Sequence, residues 1–201
     1  AYMNPAKEVG GDFYDFFYTD EKHLCLVIAD VSGKGVPAAM FMMNSMTNIR
    51  NQALTGIKSP AEILSRVNGI LYEHNDQKLF VTVWLAIIDL STGEVLAADS
   101  GHENPILKEN GTYALQDVEH YPPLATMDNN KYVDQHFKLE PYDRIFVYTD
   151  GATDAKNPEG KRFGLESLIK AVSDSGNETP KEQTARVREA IMGFIGDAET
   201  F

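Results

Sequence analysis

Apolar residues recur along this chain with two spacings, and the places where the spacing changes divide it into elements. Residues 9–18 and 23–30 read as strands, joined by the turn-forming Thr19-Asp20-Glu21-Lys22. After Ser32-Gly33-Lys34-Gly35, Pro37 stands near a helix start, and the sequence stays helix-compatible to Leu54. Ser59-Pro60-Ala61-Glu62 is a capping-box pattern with proline just inside, and Ile63, Leu64, Val67, Ile70 and Leu71 follow at helical spacing. From Leu79 the spacing changes: residues 79–89 are rich in Val, Ile, Phe and Trp, and Ser91-Thr92-Gly93 turns the chain into residues 94–99. Residues 104–108 and 112–115 flank Asn110-Gly111, a hairpin signal, and residues 132–139 and 144–149 complete the strands. Thr179-Pro180-Lys181-Glu182 repeats the capping-box device and opens a last helix running to about Ile195.

The predicted order is two strands, two helices, a block of strands and two more helices. Hairpin-linked strands imply mainly antiparallel sheets, and two separate helical pairs suit two outer faces. The expected fold is therefore α+β, a four-layer α-β-β-α sandwich. With no repeat, low-complexity tract or long linker, residues 1–201 are expected to form a single domain.

Composition narrows the function more than the fold. Hydrophobic residues are 43% and charged residues 24% of 201, ordinary for a globular chain. A net charge of −12 argues against nucleic acid or an anionic membrane as the main partner, and against charge steering toward a phosphorylated substrate. No apolar stretch reaches the roughly 20 residues that would insert in a bilayer. The one cysteine, Cys25, lies inside Leu24-Cys25-Leu26-Val27-Ile28 and reads as a buried, inert thiol, which fits the reducing cytoplasm. A first residue Ala1 so close to the first acidic motif suggests a domain cut from a longer protein.

Three aspartates stand where apolar runs meet glycine: Gly10-Gly11-Asp12, Ala29-Asp30 ahead of Ser32-Gly33-Lys34-Gly35, and Thr149-Asp150-Gly151. Carboxylates gathered from separate strand ends repel one another unless a hard divalent cation lies among them. Metal-assisted hydrolysis is the chemistry this pattern favours. Gly33-Lys34-Gly35 ahead of a helix could cradle a phosphate, although it lacks the spacing of a nucleotide-binding P-loop.

Four motifs in order then carry a resemblance that covers nearly the whole chain: Pro5-Ala6-Lys7-Glu8-Val9-Gly10-Gly11-Asp12-Phe13-Tyr14-Asp15-Phe16-Phe17, Ala29-Asp30-Val31-Ser32-Gly33-Lys34-Gly35-Val36-Pro37-Ala38-Ala39, Ser100-Gly101-His102-Glu103-Asn104-Pro105 and Tyr148-Thr149-Asp150-Gly151-Ala152-Thr153-Asp154-Ala155. The chain resembles the SpoIIE/RsbU branch of the PPM (type 2C-like) serine/threonine phosphatases. The resemblance implies a binuclear site of two divalent cations, Mn2+ or Mg2+. Asp30 would bridge the cations, the Val31 carbonyl would be a backbone ligand, and Asp12 and Asp150 would each hold one cation, directly or through water. The cations would lower the pKa of a shared water that attacks phosphorus in line, without a phosphoenzyme. It also implies a phosphorylated regulatory protein as substrate, of the anti-sigma-factor antagonist type, and an upstream sensor or dimerisation domain.

Two departures from the family pattern stand out. Ser32 occupies a position where the larger family often has His, leaving the general acid unassigned. Family members also close with an Asp-Asp motif opening a strand, whereas this chain stops at Gly196-Asp197-Ala198-Glu199-Thr200-Phe201. A metal site lacking that motif and strand makes a second reading available, a catalytically impaired phosphatase-like protein-binding module. A third is a metal phosphoesterase acting on small molecules. Other residues carry paired readings: His102 as a structural hydrogen-bonding group or a ligand, Asp15 as a carboxylate behind the ligands or an exposed strand residue, and Asp154 as a support for the Asp150 loop or a turn cap. Met40, Met42, Met43 and Met46 read as adaptable core packing or a docking surface, and Lys34 and Arg162 as solvated cations or phosphate contacts.

Overall fold

A computed structural model describes residues 1–4, 9–73, 75–109, 111–173 and 178–197. Residues 5–8 at the head of the first motif, Asn110 of the expected hairpin turn and the terminal residues 198–201 lie outside the described residues. In chain order the elements are β1 (Phe13–Tyr18), β2 (His23–Val31), α1 (Val36–Ala53), α2 (Pro60–Glu73), β3 (Val81–Asp89), β4 (Glu94–Ser100) and β5 (Ile106–Glu109). They continue as β6 (Thr112–Leu115), β7 (Gln135–Lys138), β8 (Arg144–Phe146), α3 (Asp150–Thr153), α4 (Gly164–Ser173) and α5 (Pro180–Ile195).

The strands form two antiparallel sheets, one ordered β1-β2-β3-β4-β7 and the other β6-β5-β8. Three apolar layers separate four structural ones. Val27, Val31, Val83 and Leu85 of the larger sheet pack against Ile49 of α1 and Leu64 and Val67 of α2. Ile28, Trp84, Ala86 and Val95 meet Ile145 and Val147 between the sheets. Ile106 and Tyr148 pack on Leu168 and Val172 of α4 and Val187 of α5. This is the expected α-β-β-α sandwich.

Strand periodicity explains the layering. Cys25, Val27, Ala29 and Val31 point to the helical layer, while Leu24, Leu26 and Ile28 point between the sheets. In β3, Val81, Val83, Leu85 and Ile87 alternate in the same way with Trp84, Ala86 and Ile88. Both faces are covered, so these strands read as unbroken apolar runs rather than alternating ones. The Cys25 thiol is fully enclosed, and burial pushes its pKa up to about 12, the inert state expected of it.

Helix starts follow local chemistry. Gly33 and Gly35 take positive φ, 91° and 77°, at the turn into α1. The Ser59 hydroxyl accepts from the Glu62 N–H ahead of α2, at 3.0 Å. Thr179 and Glu182 close a complete capping box at α5. Three predicted strands are shorter than their apolar patterns suggest: the first begins at Phe13 rather than Val9, β7 holds only four residues, and β8 stops at Phe146. In the last case the ladder ends where Ile106 faces Phe146, and the Pro105 carbonyl just beyond it accepts from the Gln116 N–H on the β6 side.

Candidate active site

The β1–β2 hairpin creates the centre of the site. Phe13 faces Ala29 at its open end, so the residues just beyond, Asp12 and Asp30, come side by side and hydrogen-bond. Burial raises the Asp30 pKa most, and the charge of Asp12, the hydrogen bond to it and the charge of Asp150 raise it further. Carboxylates this close repel each other unless positive charge stands between them.

Asp150 approaches from the other sheet. Contrary to the strand end expected for it, Asp150 opens the short helix α3, after the unpaired residues 147–149. It is the most open of the three, yet partial desolvation and the charges of Asp12 and Asp154 raise its pKa, with Arg162 opposing. Thr149, at the N-cap of α3, does not cap the helix with its side chain. Its hydroxyl donates instead to Asp12 Oδ2 at 2.7 Å, tying the Asp150 arm to the hairpin. Thr149 escaped the sequence analysis because a threonine before Asp-Gly reads as an ordinary cap.

Gly11 completes the local geometry. A Cβ built there would lie 2.8 Å from the Val31 carbonyl oxygen, so only glycine lets the chain pass so close. The assembled donors are all oxygen: the Asp12, Asp30 and Asp150 carboxylates and the Val31 carbonyl. Among the described residues, no three His, Cys, Asp or Glu side chains stand close enough to enclose an ion unaided. The centre is a touching Asp12–Asp30 pair with Asp150 as an electrostatic neighbour.

Other candidates sort clearly. Asp15 does not stand behind the aspartates; it pairs with Arg50 of α1, because its odd position on β1 faces the helices. The Ser32 Oγ accepts from the Phe80 N–H at 2.8 Å and so braces the neighbouring loop. Asp154 is the C-cap of α3 and pairs with Arg162 at 2.8 Å, while Lys34 is exposed. Met42 and Met46 pack on the core, whereas Met40 and Met43 are exposed and line a cavity of about 350 Å³ with Val9, Val36 and Ala39.

His102 is a structural hydrogen-bonding group. It is 4% exposed, with Nδ1 2.9 Å from the Thr82 hydroxyl and Nε2 3.1 Å from the Tyr148 carbonyl. A carbonyl only accepts, so Nε2 carries the proton and Nδ1 accepts from Thr82. Burial lowers its pKa to about 4. Its loop is held by Asp99, a fully buried acid that accepts from the Gly101 and His102 N–H groups and pairs with His120. Nothing in the spacing of Thr82, Asp99 and His120 marked them in advance.

This depressed pKa predicts acid sensitivity. An unfolded histidine protonates near pH 6.5, the folded one near 4, so the contribution is complete above 6.5 and lost as pH falls toward 4. The loss should reach about 3 kcal/mol. Urea melts from pH 7 to 4 should show this slope in the parent and a flatter one in His102→Gln; equal slopes would refute it.

Comparison with known proteins identifies the family. The chain is 31% identical, over its full length, to Protein IcfG of Synechocystis sp., and 31% identical over 82% of its length to Phosphoserine phosphatase RsbU of Bacillus subtilis. It spans 36% of the first relative and 50% of the second. Among solved structures, the SiaA-PP2C domain of Pseudomonas aeruginosa superposes with a TM-score of 0.84 at 20% identity, covering 98% of this chain and 78% of that one. The profile of Stage II sporulation protein E (SpoIIE) matches residues 20–200. The chain therefore belongs to the SpoIIE family, the SpoIIE/RsbU branch of PPM phosphatases, and has their PP2C fold.

Proposed function

We propose that this chain is a metal-dependent protein phosphatase that hydrolyses phosphoserine or phosphothreonine on a regulatory protein of the anti-sigma-factor antagonist type. The observation that carries the reading is the Asp12–Asp30 contact at the open end of the β1–β2 hairpin, with Asp150 drawn alongside from the second sheet. Hard oxygen donors with surplus negative charge suit Mn2+ or Mg2+. Asp30 would be shared between two cations, Asp12 and Asp150 would serve one each, and the Val31 carbonyl would add a neutral donor. Bound there, the cations would neutralise phosphoryl oxygens and lower the pKa of a water. The chain's own part is positional. Thr149 fixes the rotation of the Asp12 carboxylate, and Gly11 keeps the Val31 carbonyl approachable.

RsbU, a relative at 31% identity, is named as a phosphoserine phosphatase, which supports this substrate class. A net charge of −12 implies that the substrate protein docks by shape or local contacts rather than by long-range attraction. Both relatives are much longer than this chain, consistent with a catalytic domain working beside sensor or dimerisation segments.

The test is phosphate release from a phosphoserine protein in Mn2+, in Mg2+ and in excess chelator. Turnover with cation and background release in chelator are expected; equal turnover in chelator would overturn the metal reading. Tight binding of the phosphoprotein without turnover in either cation would instead establish the rival, a binding module of the same fold. Faster turnover of a small phosphate ester than of the phosphoprotein would remove the protein substrate.

A further inference from the structure

We propose that His102 is a positioning residue that sets the separation between Asp30 and Asp150, and with it the affinity of the site for its second cation. The inference rests on the cation-ligand reading of the three aspartates. It begins from where the ring's two nitrogens go. Nδ1 engages Thr82, which faces Asp30 directly in the β2–β3 register. Nε2 engages the Tyr148 carbonyl, two residues before Asp150. One imidazole thus joins the strand beside the first acid to the arm bearing the third.

The join is stiff at each point. Tyr148 is buried against α4 and α5, while Thr82 belongs to the larger sheet, so the ring adds a second tie between these segments beside the Thr149–Asp12 hydrogen bond. The loop carrying His102 is clamped by the Asp99 carboxylate, at 2.8 Å from the Gly101 N–H and 3.1 Å from the His102 N–H. His120 Nδ1 lies 2.8 Å from the same carboxylate. Gly101 has φ of 72°, and an added Cβ would press on Pro123 at 3.2 Å, so this loop has little room to shift. Residues 147–149 belong to no strand, which leaves the Tyr148 carbonyl free to be placed by a side chain. The neutral ring offers one donor and one acceptor, matching a carbonyl on one side and a hydroxyl on the other.

The test uses the whole chain and separates the two tethers. A glutamine amide reaches the Nε2 position and can still donate to Tyr148; an asparagine amide reaches only the Nδ1 position. Thr82→Val leaves the ring in place and removes the other tether, together with the 3.4 Å contact from the Thr82 hydroxyl to the Asp30 carbonyl. Mn2+ affinity and stoichiometry would be measured by titration calorimetry, melting temperature without cation by circular dichroism, and kcat and KM on a phosphoserine peptide across Mn2+ concentrations. His102→Gln should hold Mn2+ affinity within about threefold of the parent. His102→Asn should weaken the second cation tenfold or more, with kcat recovered at saturating Mn2+ and peptide KM unchanged. Its melting temperature should match that of His102→Gln, which a purely structural role would not predict. Thr82→Val should fall between the two. Parent-like affinity in His102→Asn, or affinity that merely tracks melting temperature across the set, would overturn the inference and leave the site reading intact. A parent that binds no Mn2+ would remove both.

Discussion

Asp30→Asn is expected to reduce phosphatase turnover at least a hundredfold while making the cation-free protein more stable. The two effects share one cause. Asp30 is pressed between Asp12 and Asp150 in a partly buried position, and its pKa stands above that of a free carboxyl. For a carboxyl raised in this way, the folded state carries no penalty below the unfolded pKa near 3.8. Stability is then lost as pH climbs from there through the folded value, because the unfolded chain releases its proton first. Asparagine keeps the size and hydrogen bonding of the side chain but removes the charge. The cation-free variant should therefore gain about 1–2 kcal/mol at pH 7.5 and nothing near pH 3.5. Turnover collapses because the shared negative charge is the group proposed to hold both cations, and charge stabilisation at such centres is commonly worth a hundredfold or more. Urea melts at the two pH values, with phosphate-release assays, would check both halves. Near-parent turnover would remove Asp30 from the site; a loss of stability would mean that its hydrogen bond to Asp12 outweighs the repulsion.

Gly11→Ala is expected to weaken Mn2+ binding and turnover by tenfold or more with the fold retained. Gly11 does not occupy the left-handed region of backbone space, so an alanine there meets no conformational penalty. Its chain-entropy effect alone would stabilise the protein by about 0.4–1 kcal/mol. What alanine meets is the Val31 carbonyl oxygen at 2.8 Å and the Val31 Cβ at 3.3 Å. Backbone cannot swing aside as a long side chain does, so the carbonyl must shift, and it is the neutral donor proposed for the site. Gly69→Ala on α2, where nothing lies within 4 Å of the added carbon, is the matched control and should leave Mn2+ binding unchanged. Equal Mn2+ affinity in parent and Gly11→Ala would exclude the Val31 carbonyl as a donor.

Much of this architecture was legible in residue spacing, and the misses have physical causes. The 24–28 run and residues 79–89 announced strands because nearly every position is buried on one face or the other. The capping box at Thr179 fixed a helix start to the residue. Asp12 and Asp30 stood out by their glycine neighbours, but their contact depends on hairpin register, which a four-residue turn does not specify alone. Asp150 was misplaced at a strand end because Val147 and Tyr148 keep strand-like burial after the ladder has stopped at Phe146. The Thr82–His102–Tyr148 link was invisible because it joins three segments that only the packed sheets bring together. Family resemblance supplied the proposed roles of the aspartates; spacing alone reached only hard-cation chemistry.

The double burial of β2 and β3 also shapes how this protein can vary. A strand with one wet side accepts polar replacements at every other residue, as the exposed Thr112 and Ala114 of β6 suggest. Along Val81–Asp89 no such rhythm exists, because the neighbour of each helix-facing side chain fills the gap between the sheets. Sequence drift in this protein should therefore be channelled into its rims and outer helical surfaces, while its two central strands change only by swaps between apolar residues of similar volume.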